Sequence, residues 1–166
     1  MSYWQLFYHI VWATAERLPL LTPDVEEQVY GYLRSKAVGL EGVVFAVNGM
    51  PDHVHMLVSI PPKVAVAQFI GQVKSVAATK HNKNSLQELP LAWQHEYGVF
   101  SFDGKRLPNY ISYVERQKFH HAEGQTIPIL ERTHDGEVRR VAENAAPYVT
   151  DDEAWRRDLE ALEPMD

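Results

Sequence analysis

The chain has 166 residues, enough for one domain with an ordinary hydrophobic core, and its lack of cysteine excludes disulfides and thiolate metal sites. No apolar run approaches the ~20 residues that span a bilayer and no basic-then-apolar leader begins the chain, so we expect a soluble, cytoplasmic protein without a membrane partner. The net charge of −6 comes from the C-terminal tail. Residues 1–121 carry 11 Lys and Arg against 10 Asp and Glu, whereas residues 122–166 carry 5 Lys and Arg against 12 Asp and Glu. The first 121 residues can therefore still face a polyanion such as nucleic acid.

The first half of the chain predicts one strand, one helix and two further strands. Aromatic and β-branched residues dominate residues 3–14, which is typical of a buried strand. Thr22-Pro23-Asp24 has the N-cap hydroxyl, the proline and the first-turn carboxylate of a helix start, and helical apolar spacing continues to a stop at Gly39. Residues 43–50 and 53–60 are predicted strands, and the Pro51-Asp52 turn between them predicts an antiparallel pair.

The next elements complete a β-α-β-β-α-β order. Helical spacing returns between residues 64 and 81, and residues 97–102 are a predicted fourth strand. This order predicts the ferredoxin-like fold, an α+β class with a four-stranded antiparallel sheet and helices on one face. A further helix from about residue 108 to residue 121 and an acidic C-terminal tail follow the sheet.

The strand at residues 53–60 carries two histidines that point the same way. Side chains alternate along a strand, so His53 and His55 lie on one face, about 7 Å apart, while Val54 and Met56 face the core. Two imidazoles so placed can share one metal ion. When the motif stands alone, a half-buried strand whose polar face carries histidines is the more ordinary explanation.

The predicted helix at residues 108–121 has an unusual polar stripe. On a 3.6-residue wheel, one face holds Tyr110, Tyr113, Val114, Gln117, His120 and His121. An ordinary packing stripe consists of Leu, Ile and Val, whereas Tyr, Gln and His need polar partners. The alternative is a helix edge whose rings pack while their polar groups meet water.

The tail after residue 121 is acidic and mostly polar. Residues 126–131 predict a short extended stretch. Thr150 begins a capping-box pattern, and Trp155, Leu159 and Leu162 follow at the spacing of an apolar helix stripe. We expect a short terminal helix that docks through this stripe, either as an ordinary packing helix or with its carboxylates near a basic DNA groove.

Four motifs occur in order within the first 121 residues. They are Tyr8-His9-Ile10-Val11-Trp12, Pro51-Asp52-His53-Val54-His55-Met56-Leu57-Val58, Pro61-Pro62, and Tyr113 followed by Gln117 and His120-His121. The set resembles the single-tyrosine HUH transposases of small bacterial and archaeal insertion sequences and their REP-associated relatives. The resemblance implies a transposase domain over residues 1–121 and an acidic extension over residues 122–166. It also implies divalent-metal-dependent cleavage and rejoining of single-stranded DNA through a 5′-phosphotyrosine.

The resemblance implies a role for individual residues as well. His53, His55 and Gln117 match the metal ligands, with Mg²⁺ or Mn²⁺ as the cofactor, and Tyr113 matches the nucleophile. Tyr110 lacks the spacing to the glutamine, so we expect it to pack or to contact DNA. His120 and His121 match a histidine pair with a supporting or DNA-binding role.

Single-stranded DNA, in the form of hairpin-containing element ends, is the partner that the resemblance implies. Stacking on aromatic rings would combine with phosphate contacts from Lys74, Lys80, Lys105 and Arg106, although surface solubility explains these charges equally well. The resemblance further implies a homodimer in which Tyr113 of one subunit acts at the His53 and His55 site of the other.

Three alternatives stay open on the sequence. A domesticated relative would nick repeated palindromic elements without mobilising its own gene. A non-catalytic single-stranded nucleic-acid binder would use the same sheet as a platform and would not need Tyr113 or a metal. A purely structural domain would bind no metal at His53 and His55.

Overall fold

An antiparallel sheet of four strands lies at the centre of the fold, in a computed structural model that describes residues 1–134 and 154–162. The strands are β1 (Phe7–Ala13), β2 (Val43–Met50), β3 (His53–Ser59) and β4 (Gly98–Phe102), in the spatial order β2-β3-β1-β4. β3 pairs with a neighbour on each side, and all seven of its residues are buried. The predicted hairpin between β2 and β3 is confirmed.

Two long helices cover one face of the sheet. They are α1 (Glu26–Gly39) and α2 (Val66–Asn84), and they bury a core that includes Val54, Met56 and Phe69. α1 begins later than predicted because residues 22–25 form a turn in which the carbonyl of Thr22 accepts bonds from the amides of Val25 and Glu26. The predicted β-α-β-β-α-β order and α+β class are confirmed.

Shorter helical elements cover the opposite face of the sheet. They are α3 (Leu107–Glu115), α4 (Gln117–Ala122), a 3-10 helix (Pro128–Glu131) and α5 (Ala154–Glu160). A second apolar cluster joins Leu57 of β3 to these elements, with Leu130 and Leu159 fully buried. The predicted docking of the terminal helix is confirmed, since Trp155 and Leu162 pack beside Leu159 in this cluster. Its predicted capping box at residues 150–153 lies outside the described residues, and the division of the chain at residue 121 stays a prediction.

Two further local predictions are wrong. The single helix predicted over residues 108–121 divides at Arg116, whose φ of −100° and ψ of 21° leave the helical region. The carbonyl of Tyr113 accepts a bond from the side-chain amide of Gln117 at this division. Residues 126–131 are not extended throughout. The backbone of Ile127 is extended, but residues 128–131 close into the 3-10 helix through a bond from the Leu130 amide to the Ile127 carbonyl.

Within residues 1–134 and 154–162, none of the helices combines the length and the apolar character that crossing a membrane requires.

Candidate active site

His53 and His55 lie side by side on the face of β3 that looks toward α3 and α4. The ring centroids are 5.1 Å apart, and the two residues are 3 % and 0 % exposed. The prediction that both histidines share one face is confirmed, since the register pairs them with Ala13 and Val11 on the adjacent strand. This face is buried beneath the helices, so the imidazoles need polar partners from outside the sheet.

Glu131 supplies that partner from the last residue of the 3-10 helix. One of its carboxylate oxygens, Oε2, lies 2.9 Å from Nε2 of His55 and 3.1 Å from Nε2 of His53. The same oxygen lies 3.4 Å from Nε2 of His121, at the end of α4. Glu131 belongs to residues 126–133, which we call the strap because they cross this face of the sheet. Glu131 is not among the site residues that the sequence predicts.

Tyr113 reaches the same carboxylate from α3. Its hydroxyl donates to Oε1 of Glu131 at 2.6 Å and accepts a bond from the amide of Ile127 at 2.9 Å. Its ring is fully buried, with its centroid 6.1 Å from that of His55, and it stacks on the ring of His120 at 5.0 Å. One carboxylate therefore bridges the tyrosine and both histidines within a single chain.

Gln117 lies at the edge of this cluster. Its side-chain oxygen is 3.1 Å from Nε2 of His121, and its amide nitrogen donates to the carbonyl of Tyr113. Gln117 is fully buried, and it contacts His121, which in turn contacts Glu131. Its role as a metal ligand stays a prediction.

The second ring nitrogen of each strand histidine also has a partner. Nδ1 of His53 lies 2.7 Å from a carboxylate oxygen of Asp52, whose other oxygen accepts a bond from Arg17 at 3.2 Å. Nδ1 of His55 lies 2.9 Å from Nε2 of His9, which is fully buried on β1. Burial, and then the neighbouring His55, lower the pKa of His9, so its ring is neutral near pH 7.

Glu131 and His53 each stabilise the charged form of the other. Burial works against the ionised carboxylate of Glu131, yet hydrogen bonds from His53 and His55 outweigh burial and hold the pKa of Glu131 well below its usual range. Burial also opposes the charged form of His53, but its bonds to Glu131 and Asp52 prevail and raise its pKa. Burial lowers the pKa of His55. Burial, and then the negative charge of Glu131, raise the pKa of Tyr113, so the phenol is protonated at neutral pH.

His53, His55 and Glu131 form a group that could hold a metal ion. Each offers one ligand atom, and these atoms all lie within 4.8 Å of one another. Two imidazole nitrogens and one carboxylate oxygen suit a divalent first-row metal ion. The donor set fits the predicted divalent metal, while the choice between Mg²⁺ and Mn²⁺ stays a prediction.

The supporting residues predicted on α3 and α4 surround this group at different distances. Tyr110 stacks on Phe102 with ring centroids 3.9 Å apart, and burial raises its pKa to about 12. His120 is buried behind Tyr113, and His121 is the partly exposed member that contacts Glu131.

The four predicted basic contacts lie in different environments. Lys74 is buried in α2, where its ammonium donates to the carbonyls of residues 94–96 and burial lowers its pKa to about 8. Arg106 pairs with Glu160 of α5. Lys80 lies over the ring of Tyr32, on an exposed part of α2, and Lys105 is exposed. A role in DNA binding stays a prediction for all four.

The fold and the site define a class of protein. In this α+β fold, two histidines on a strand of the sheet face a tyrosine on a helix. This is the arrangement expected of single-tyrosine HUH transposases. Residues 2–117 match the family described as "Transposase IS200 like", so the chain belongs to the IS200-like transposase family.

Individual relatives support the family. The chain is 35 % identical over 79 residues to the ISDra2 transposase TnpA of Deinococcus radiodurans, a match that covers 46 % of this chain and 55 % of the relative. It is 32 % identical over 71 residues to the transposase for insertion sequence element IS200 of Salmonella typhimurium, covering 43 % and 47 %. The chain thus matches about half the length of these relatives.

Two solved structures share the fold. The crystal structure of a proposed transposase of Deinococcus radiodurans has a TM-score of 0.55 and 22 % identity, over 75 % of this chain and 95 % of that one. The REP-associated tyrosine transposase bound to a REP hairpin has a TM-score of 0.55 and 12 % identity, over 76 % of each chain. At these identities the likeness concerns the fold alone.

Proposed function

We propose that this chain cleaves and rejoins single-stranded DNA, with Tyr113 as the nucleophile and a divalent metal ion held by His53, His55 and Glu131. One observation carries the proposal. The hydroxyl of Tyr113 lies 2.6 Å from Oε1 of Glu131, whose Oε2 lies 2.9 Å from His55. The proposed nucleophile therefore shares one carboxylate with the group that could hold the metal.

The proposed reaction is a transesterification at phosphorus. The phenolic oxygen of Tyr113 attacks the scissile phosphate in line, a bond forms between that oxygen and phosphorus, and the bond to the departing 3′-oxygen breaks. The phenol loses its proton as its oxygen attacks, and the 3′-oxygen gains a proton and leaves as a hydroxyl. The DNA then stays attached through a 5′-phosphotyrosine. A free 3′-hydroxyl can later attack this phosphotyrosine, which reseals the strand and restores the phenol without a nucleotide cofactor. A bound divalent ion would supply positive charge beside the phosphate oxygens.

The third ligand is proposed to be Glu131, in place of the predicted Gln117. The carboxylate of Glu131 already contacts both strand histidines. The side-chain amide of Gln117 instead contacts His121 and the carbonyl of Tyr113. We expect Glu131→Ala to weaken Mn²⁺ binding by at least tenfold, and Gln117→Ala to weaken it less. Calorimetric titration of the metal-free variants with Mn²⁺ measures both affinities, and the reverse ranking would restore Gln117 as the ligand.

A DNA hairpin is the proposed substrate. The basis is the family and the structural neighbour that is bound to a REP hairpin. We also keep the predicted homodimer as a proposal, but the contact between Tyr113 and Glu131 within one chain favours a site completed by that chain's own tyrosine. Mixing inactive Tyr113→Phe with inactive His55→Ala tests this point. Activity returns in the mixture if subunits share the site and stays absent if each chain is complete.

The experiment that tests the function is a covalent-adduct assay. The purified protein is incubated with Mn²⁺ or Mg²⁺ and labelled single-stranded DNA from the flanks of its own gene, and the products are separated by denaturing electrophoresis. We expect a metal-dependent protein–DNA adduct that disappears in Tyr113→Phe and His55→Ala. Tyr110→Phe is the matched control, because Tyr110 is a buried tyrosine one turn away on the same helix, and this variant should keep the adduct. An adduct that survives in Tyr113→Phe would refute the assignment of the nucleophile.

A further inference from the structure

His9 lies outside the proposed ligand set and yet contacts it. It lies on β1 opposite Leu57, so its side chain shares the face of the sheet that carries His55. The two rings are tilted, with centroids 5.0 Å apart, and Nε2 of His9 lies 2.9 Å from Nδ1 of His55. Both residues are 0 % exposed, so solvent water does not compete for the hydrogen bond between the two rings.

The two strand histidines are supported by different chemistry. Nδ1 of His53 meets the carboxylate of Asp52, a group that can only accept a hydrogen bond. Nδ1 of His55 meets an imidazole nitrogen, which can either donate or accept. Metal-binding histidines usually depend on such a partner at the second nitrogen, because it fixes the orientation of the ring and the position of its hydrogen.

The contacts of His55 require its hydrogen to occupy different nitrogens with and without a metal. The ionised carboxylate of Glu131 accepts, so in the described arrangement Nε2 of His55 carries the hydrogen and Nδ1 accepts from Nε2 of His9. If a metal binds Nε2 of His55, the ring's hydrogen must lie on Nδ1, and Nε2 of His9 must accept it. The hydrogen of His9 then lies on its own Nδ1, an atom without a hydrogen-bond partner among the described residues. One hydrogen leaves Nε2 of His55 and one arrives on Nδ1 of His9, so the charge of the pair is unchanged.

We propose that His9 is a positioning residue that holds the ring of His55 with Nε2 directed at the metal and serves as hydrogen-bond partner to both of its tautomers. This inference rests on the metal site of the proposed function. A carboxylate or a carbonyl at this position would match only the metal-bound tautomer, whereas the imidazole of His9 matches both.

Binding of Mn²⁺ alone, followed by electron paramagnetic resonance, tests the proposal without DNA or activity. His9→Phe keeps a ring but removes the partner, and we expect Mn²⁺ affinity to fall by about 10- to 100-fold. His9→Gln offers an amide that can also donate or accept, and it should recover part of the loss. His81→Phe is the matched control, because His81 is 1 % exposed but lies on α2, which covers the other face of the sheet. Wild-type affinity in His9→Phe, or an equal loss in His81→Phe, would overturn the proposal.

Nitrogen NMR of the metal-free protein separates this inference from the proposed metal site. We expect the spectra of ¹⁵N-labelled wild type to show the hydrogen of His55 on Nε2 and a coupling between Nδ1 of His55 and Nε2 of His9 across their hydrogen bond. Zn²⁺, used as a diamagnetic probe, should move the hydrogen of His55 to Nδ1. A wild type that binds neither ion refutes the metal site and, with it, a role for His9 toward a metal. A protein that binds Mn²⁺ but shows no coupling between the two rings refutes the role of His9 and leaves the metal site standing.

Discussion

Gly98 offers a way to move the strap without touching the site. It begins β4 where the strap crosses the sheet, and a methyl group built on it would lie 2.0 Å from the carbonyl oxygen of Arg132 and 3.0 Å from the side chain of Val11. Non-bonded carbon and oxygen atoms approach to roughly 3.3 Å, so Gly98→Ala must displace the strap or β4 by roughly 1 Å. The substitution therefore acts on the packing between the strap and the sheet.

The displacement should reach the site because Arg132 directly follows Glu131. Oε2 of Glu131 lies 2.9 Å from His55, and a shift of about 1 Å takes that contact beyond hydrogen-bond range. Overpacking of a well-packed region costs about 1–3 kcal/mol. We expect Gly98→Ala to lower the free energy of unfolding by about that amount and to weaken Mn²⁺ binding about tenfold, equivalent to about 1.4 kcal/mol.

Urea unfolding followed by circular dichroism, together with calorimetric Mn²⁺ titration, measures both effects. Gly71→Ala is the matched control, because a methyl group at this exposed position of α2 would meet nothing within 4 Å. Alanine is favoured over glycine inside a helix by about 1 kcal/mol, so this control should be more stable than wild type and bind Mn²⁺ normally. If Gly98→Ala unfolds at the wild-type urea concentration and binds Mn²⁺ with wild-type affinity, the strap does not depend on Gly98 and the reasoning is refuted.

Other contacts give further expected outcomes. Lys74→Met leaves the carbonyls of residues 94–96 without their donor, so urea unfolding should show a loss of about 1–3 kcal/mol, against less than about 0.5 kcal/mol for the exposed Lys80→Met; equal losses would contradict this. Burial, and then Arg116, lower the pKa of His120, so the unfolded chain binds the proton more readily and the metal-free wild type loses stability as the pH falls below about 6.5. His120→Phe removes this loss, so its free energy of unfolding should fall less than that of wild type when the pH is lowered from 7 to 5. Parallel pH profiles of the two proteins would argue against this. Asp52→Asn removes the carboxylate beside His53, and calorimetry should show Mn²⁺ binding weakened by about tenfold, a result that unchanged affinity would contradict.

The elements that were predicted correctly are those fixed by local periodicity. Alternation along β3 is enough to place His53 and His55 on one face, whichever strands lie beside it. The turn at Pro51-Asp52 is likewise a local signal, and it correctly predicted the pairing of β2 with β3. These features need no knowledge of distant residues, so the paired histidines could be identified from the sequence.

The division of the predicted helix over residues 108–121 into α3 and α4 could not be predicted in the same way. Tyr113, Gln117 and His120 keep a helical spacing across Arg116, so the periodic pattern continues where the backbone does not. The departure at Arg116 accompanies a bond from the Gln117 side chain to the Tyr113 carbonyl. Such a competition between side chain and backbone depends on the three-dimensional surroundings of the amide and leaves no trace in the spacing.

Glu131 was missed for a related reason. It lies 76 residues from His55 along the chain, and it is one of 12 acidic residues after residue 121, so neither spacing nor composition distinguishes it. Its position depends instead on the strap, where Ile127 and Leu130 are buried and the amide of Ile127 donates to the hydroxyl of Tyr113. That same hydroxyl donates to Glu131, so the tyrosine helps to hold in place the carboxylate that meets both histidines. The beginning of the acidic tail is therefore part of the candidate site, and substitutions in the strap should affect metal binding as directly as substitutions in β3.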